Sequence, residues 1–98
     1  MISVPPKVEL KDKFIAPTIN SQCELHAVID GIPTPEIKWF KDDQLLAEGN
    51  DILLKREGNI CQLLLMKSTP EHSGVYKCFA ENVVGKADAK ATVSIHGM

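Results

Sequence analysis

Between residues 22 and 29 the chain reads QCELHAVI, with Cys23, Leu25, Ala27 and Ile29 on one side and Glu24, His26 and Val28 on the other. A period of two is the signature of an extended strand, whose successive side chains point to opposite faces. It is incompatible with an amphipathic helical stripe. The alternation returns in ICQLLLMK, where Cys61, Leu63 and Leu65 share a face, and in VYKCFAEN and KADAKATVSI. Turn formers stand between these runs. Pro33 and Pro35, with fixed φ and no N–H, separate QCELHAVI from EIKWF. DDQLL turns into a short strand, DILLK forms another, and REGN separates DILLK from ICQLLLMK. NVVG joins the last two strands, and Gly85 is expected to supply a positive φ there. Short strands every ~8–12 residues predict an all-β, two-sheet sandwich.

At 98 residues the chain suffices for one domain, read here as 1–98, with a modest core. A formal charge of −2 gives no basic footprint, so neither nucleic acid nor a membrane surface is an expected partner. No apolar run approaches the ~18 residues of a membrane span, and the N-terminus does not resemble a signal peptide. Catalytic chemistry finds no purchase. His26, His72 and His96 are scattered, and Cys23 and His26, despite metal-like spacing, fall on opposite faces of one strand. Glu71, His72 and Ser73 are adjacent in a turn, whereas a catalytic triad draws its members from separate segments. Asp42, Asp43, Glu48 and Asp51 read as a solvated acidic loop. No enzyme activity and no cofactor are expected.

Three spaced patterns agree with one another: Gly31-x-Pro33-x-Pro35-x-x-x-Trp39, Gly74-x-Tyr76-x-Cys78 and Ala80-x-Asn82-x-x-Gly85. With their surroundings they resemble the I-set immunoglobulin domains of giant muscle and cytoskeletal proteins, of the titin, twitchin, obscurin and myosin light chain kinase type. The resemblance runs from about Pro5 to Ile95 and implies an immunoglobulin-like, Greek-key sandwich. It makes Trp39 the core tryptophan and Tyr76 a tyrosine corner, its hydroxyl bonded back to backbone. It also places the family's first core cysteine twelve residues before Trp39, at Ala27, so the usual inter-sheet disulfide to Cys78 cannot form. Cys23 lies four residues away, roughly 13 Å at strand rise, against the ~7 Å a disulfide tolerates between Cα atoms. Cys61 is expected near Ile29, remote from Cys23. Cys23, Cys61 and Cys78 are therefore read as buried free thiols, within a core that includes Leu25, Ala27, Trp39, Leu63, Leu65, Tyr76 and Cys78.

Two positions depart from the family pattern. His72 replaces an aspartate that in the family commonly pairs with a base from the region of Lys55 and Arg56, with Glu71 as a substitute carboxylate. The favoured reading is a looser turn that loses a surface pairing worth ~0–1 kcal/mol, not a pH switch. Asp43 stands where glycine is frequent and tolerates positive φ.

With Trp39 and Cys78 inward, parity turns Lys38 and Phe40 outward with Lys77, Phe79 and Glu81. Opposing Trp39 to Cys78 sets Lys38 against Phe79 and Phe40 against Lys77, with the two rings diagonal at about 7–8 Å. Exposed aromatics among lysines make a candidate partner surface, with Lys90 and Asp88 as its rim. The function implied by the resemblance is a noncatalytic structural and protein-interaction module, load-bearing in a tandem array, in the cytoplasm of the sarcomere or cytoskeleton. The missing disulfide favours that compartment. Its partners would be cytoskeletal or sarcomeric proteins and neighbouring domains of a longer chain, with the isolated domain monomeric. VPP at residues 4–6 suits a stiff entry from a preceding neighbour. An extracellular cell-adhesion or receptor immunoglobulin domain is the alternative, and a targeting module of a cytosolic kinase or exchange factor is another.

If Ala27 occupies the cysteine position, Ala27→Cys will form a disulfide with Cys78 and stabilise the oxidised protein by ~2–4 kcal/mol. Denaturant midpoints with and without reductant check this; no bridge in the variant would refute the register.

Overall fold

The computed structural model describes residues 2–49 and 51–96. Alternation is what makes the strands, and it is sharpest in β3 (Cys23–Ile32), where Cys23, Leu25, Ala27 and Ile29 are buried while Glu24, Val28 and Asp30 are exposed. Before it come β1 (Val4–Leu10) and β2 (Phe14–Ile15). After it come β4 (Glu36–Lys41), β5 (Gln44–Leu45), β6 (Ile52–Glu57), β7 (Ile60–Leu65), β8 (Gly74–Glu81) and β9 (Lys86–Val93). A 3-10 turn, Pro70–His72, precedes β8. One sheet has the order β1-β3-β7-β6 and the other β2-β9-β8-β4-β5. The chain changes sheet after β1, β2, β3, β5 and β7, which gives the Greek-key sandwich of the immunoglobulin fold.

The inward sets meet in one core. Trp39 is 3% exposed, and Leu63, Leu65, Tyr76, Cys78 and Ala27 are fully buried. Each buried leucine contributes ~1.5–3 kcal/mol relative to exposure. Trp39 lies opposite Cys78, Lys38 opposite Phe79, and Phe40 opposite Lys77.

Two details differ from the expectation. Cys61 pairs with Ala27, not near Ile29. The β3–β7 register pairs Ala27 with Cys61 and Val28 with Ile60, and Ile29 lies past the end of β7, its N donating to Asn59 O at 2.7 Å. Gly85 is not among the positive-φ residues. Asn82 builds that turn instead, its Oδ1 accepting from Val84 N at 2.9 Å and Gly85 N at 3.1 Å. At His72 the family's acid-base pairing is lost, in keeping with the sequence reading, and neither Glu71 nor Arg56 forms a replacement ion pair among the described residues. Thr69 N donates to His72 Nδ1 at 3.1 Å, the Tyr76 hydroxyl donates to the His72 carbonyl, and Arg56 Nη1 donates instead to Pro35 O at 2.7 Å. The His72 ring thus anchors the turn through local hydrogen bonds.

The ends of the chain are tied to opposite poles. Asn82 Nδ2 donates to Val4 O at 2.9 Å and Pro33 O at 3.0 Å, so the β3–β4 and β8–β9 turns surround the point of entry. At the other pole Val93 pairs with Gly74, and Ile95 N donates to Ser73 Oγ at 2.9 Å. β1 pairs with β3 antiparallel, its register interrupted between Val4 and Lys7, where Pro5 and Pro6 lie. β2 pairs with β9 parallel, with Thr92 N donating to Lys13 O at 2.9 Å and Ser94 N to Ile15 O at 3.0 Å.

Asp42 (φ 48) and Asp43 (φ 68) form the left-handed two-residue β4–β5 turn. That turn docks on the start of β8: Asp42 Oδ1 accepts from Val75 N at 3.0 Å, and Asp42 N donates to Val75 O at 2.9 Å. Gly74, at φ 154, makes room for it, since a Cβ there would stand 2.7 Å from Asp42 Oδ2. Gly74→Ala should therefore destabilise the domain by ~1–3 kcal/mol. Gly85→Ala, whose Cβ would find ordinary contacts of 3.7 Å, should be near neutral. Urea unfolding of the two variants separates them.

Candidate functional site

The outer face of β4, β8 and β9 gathers the residues that parity turns outward. Phe40 and Phe79 are half-buried rather than exposed. Their ring centroids are 6.4 Å apart at an interplanar angle of 88°, an edge-to-face contact. Lys77 Nζ stands 4.8 Å from the Phe40 centroid, within cation-π range, and 3.9 Å from Asp43 Oδ1. The aromatic pair is thereby held by packing and partly covered by the Lys77 stem.

Around it the ladder sets an asymmetric charge pattern. Lys38 and Asp88 flank Phe79 on either side, while Lys77 faces Lys90. Glu81 lies opposite both Glu36 and Lys86, so Lys86 offsets a pair of like charges. Lys38, Glu81 and Lys90 are exposed. The face offers an apolar centre of two ordered rings with cations on both sides, suited to a partner with apolar and acidic groups and carrying no acid-base or nucleophilic chemistry.

The acidic loop does not converge on a point. Asp42 is held by Val75 N, which with nearby Lys41 keeps its carboxyl below the usual range despite partial desolvation, while Glu48 Oε2 accepts from Leu54 N at 3.1 Å. Among the described residues no cluster of His, Cys, Asp or Glu could hold a metal, and no helix is long and apolar enough to cross a membrane. Parity did not anticipate the apolar residues at the entry pole. Ile32 is 51% exposed and Val83 87%, beside the Asn82 anchor. The sequence carried one signal for them, two valines in a turn otherwise made of Asn and Gly.

Against known proteins, the model of the immunoglobulin I-set domain matches residues 6–95. The striated muscle preferentially expressed protein kinase of Danio rerio is 34% identical over 96 residues, covering 98% of this chain and 3% of that protein. Hemicentin-1 of Mus musculus is 35% identical over 96 residues, 97% of this chain and 2% of that protein. The chain thus spans a small part of each relative. Among solved structures, titin domains z1z2 in complex with telethonin align with a TM-score of 0.93 at 30% identity, covering 99% of this chain and 49% of that one.

The remaining reactive groups face inward. Cys23, Cys61 and Cys78 are buried and unpaired. Burial raises all three thiols above their ordinary pKa of 9.0, helped for Cys23 by the Glu24 charge and opposed for Cys61 by Arg56. Cys78 is pushed up to about 12, chiefly by burial and further by Cys61. In the folded state they are neutral at pH 7 and shielded from reagents. The folded pKa values exceed the unfolded ones, so their contribution to stability is complete below pH ~8 and lost as pH rises toward 12. Unfolding free energy should therefore fall between pH 8.5 and 11. Replacing Cys78 with Ser, an isostere that does not ionise there, should flatten that slope; an unchanged slope would show that the thiol does not cause it.

Proposed function

Because the chain belongs to the immunoglobulin I-set family, we propose that it is a noncatalytic structural and protein-interaction module. It is a single domain over residues 1–98 that carries tension between neighbours in a longer cytoplasmic protein of the sarcomere or cytoskeleton and docks a protein partner. The observation that carries this reading is the geometry of the ends. β1 and β9 both run from the entry pole to the exit pole, so tension draws β2 and β9 in opposite directions along their shared ladder. The bonds from Thr92 N to Lys13 O and from Ser94 N to Ile15 O lie across that direction and are loaded together rather than peeled one by one. The apolar Ile32 and Val83 at the entry pole suit contact with a preceding domain.

The muscle context rests on relatives such as the striated muscle kinase, and a protein ligand on the telethonin complex of the titin domains. Docking is assigned to Phe40 and Phe79, framed by Lys38, Lys77, Glu81 and Lys90. The isolated domain is monomeric, with no nucleic-acid or membrane partner. The double variant Phe40→Ser, Phe79→Ser should stay folded by Trp39 fluorescence and unfolding cooperativity, keep its unfolding force when pulled end to end, and lose partners in a pull-down from muscle lysate. Undiminished capture would refute the docking face, and a wild-type force no higher than that of a pull across the sheets would refute the load-bearing role.

A further inference from the structure

A second surface lies where the two sheets part. β5 and β6 are the free edges of their sheets on the same side of the sandwich, and between them opens a cleft of about 230 Å³. Its apolar wall is Ile37 and Leu46 from one sheet and Leu54 and Cys61 from the other, with Trp39 among its lining residues. The rim is basic. Lys38, Lys55 and Arg56 line the cleft and no carboxylate does. None of the three takes part in the ion pairs found among the described residues. Arg56 is held in place by bonds from Nη1 to Pro35 O and from Nε to Gly58 O, which leaves its other guanidinium N–H groups available.

We infer that this cleft binds a short acidic-hydrophobic segment of a partner protein, one aliphatic or aromatic side chain entering between the sheets and flanking carboxylates pairing with Lys38, Lys55 and Arg56. Size argues for a side chain, because the cleft is smaller than the roughly 300–1,000 Å³ typical of small-molecule sites. Charge argues for carboxylates on either side of it. The domain itself illustrates the chemistry at this border, where Glu48 Oε2 already accepts a hydrogen bond from Leu54 N. That contact, with Gly49 N donating to Ile52 O, also occupies part of the β6 edge. A peptide therefore binds here through its side chains and not by adding a strand to β6 at Leu54. The apolar wall is distinct from the Phe40–Phe79 face, since those rings point outward from the opposite side of β4's pleat to Trp39, and Lys38, which shares their parity, is common to both surfaces.

The test uses four fluorescein-labelled octapeptides, each with Leu, Ile, Phe or Trp between two pairs of Asp, and the same four with Lys in place of Asp. At least one acidic peptide should bind saturably, and none of the basic ones should. Backbone NMR shifts should concentrate at Ile37, Leu46 and Leu54. Lys55→Glu, at an exposed position outside the aromatic face, should lower affinity at least tenfold, whereas Phe40→Ser, Phe79→Ser should leave it unchanged, which distinguishes this inference from the docking face. Four outcomes would overturn it: no saturable binding by any acidic peptide, equal binding of the basic set, a shift footprint away from the cleft, or cleft shifts that grow with protein concentration alone. The last would assign the cleft to a second copy of the chain.

Discussion

The two sheets are held together by burial, with no covalent link between them. Ala27, fully buried, lies between Leu10 and Cys61 in its own sheet, while Trp39 and Cys78 face each other across the neighbouring pair of strands in the other. The hydrophobic term of ~25 cal/mol per Å² must therefore come from strict alternation on every inner strand. A slip of one residue in β3 would turn Glu24 and His26 inward and expose Leu25 and Ala27. The same constraint fixes the outside. Because Trp39 and Cys78 cannot leave the core, Lys38, Phe40, Lys77 and Phe79 have one arrangement available, and the aromatic face is the reverse side of the packing that stabilises the fold.

This explains why the sandwich was legible in the residues and some of its turns were not. Strand parity is local, readable from Cys23, Leu25, Ala27 and Ile29 without knowing what they pack against. Hairpin length is settled by a competition that no alternation reports. Gly58 and Asn59 close the β6–β7 turn in two residues and set Cys61 opposite Arg56, while its place opposite Ala27 comes from the separate β3–β7 register. At Asn82 a side-chain amide took over a task expected of a glycine backbone, and at His72 an imidazole acceptor replaced an ion pair. In both cases the residue type signalled a turn but not the partner. The half-burial of Phe40 and Phe79 depends on how the rings and Lys77 lean over one another, which register alone does not decide. The basic cleft combines residues from β4, the β5 end, β6 and β7, and became visible only once both sheet edges were in place.

The distribution of roles over the surface follows from topology. The poles receive the chain ends and the turns that brace them. The flat outer face and the open edge remain accessible. A formal charge of −2 conceals this division, since Lys38, Lys55 and Arg56 make a locally cationic border within a mildly acidic molecule. The average says little about what either surface attracts.

The interruption of β1 has a further consequence for a domain flanked by others of its kind. Tethering similar modules on one chain holds them at an effective concentration on the order of millimolar, a condition under which unpaired strand edges recruit one another into intertwined, misfolded pairs. β1 is an outer edge of its sheet, and near the entry pole it carries Pro5 and Pro6, which offer no N–H to an incoming strand, followed by the exposed charges Lys7 and Glu9. The part of the fold closest to a preceding neighbour is thus the part least able to exchange strands with it. In a tandem array of the kind proposed, such an edge would keep a refolding module separate from its neighbour.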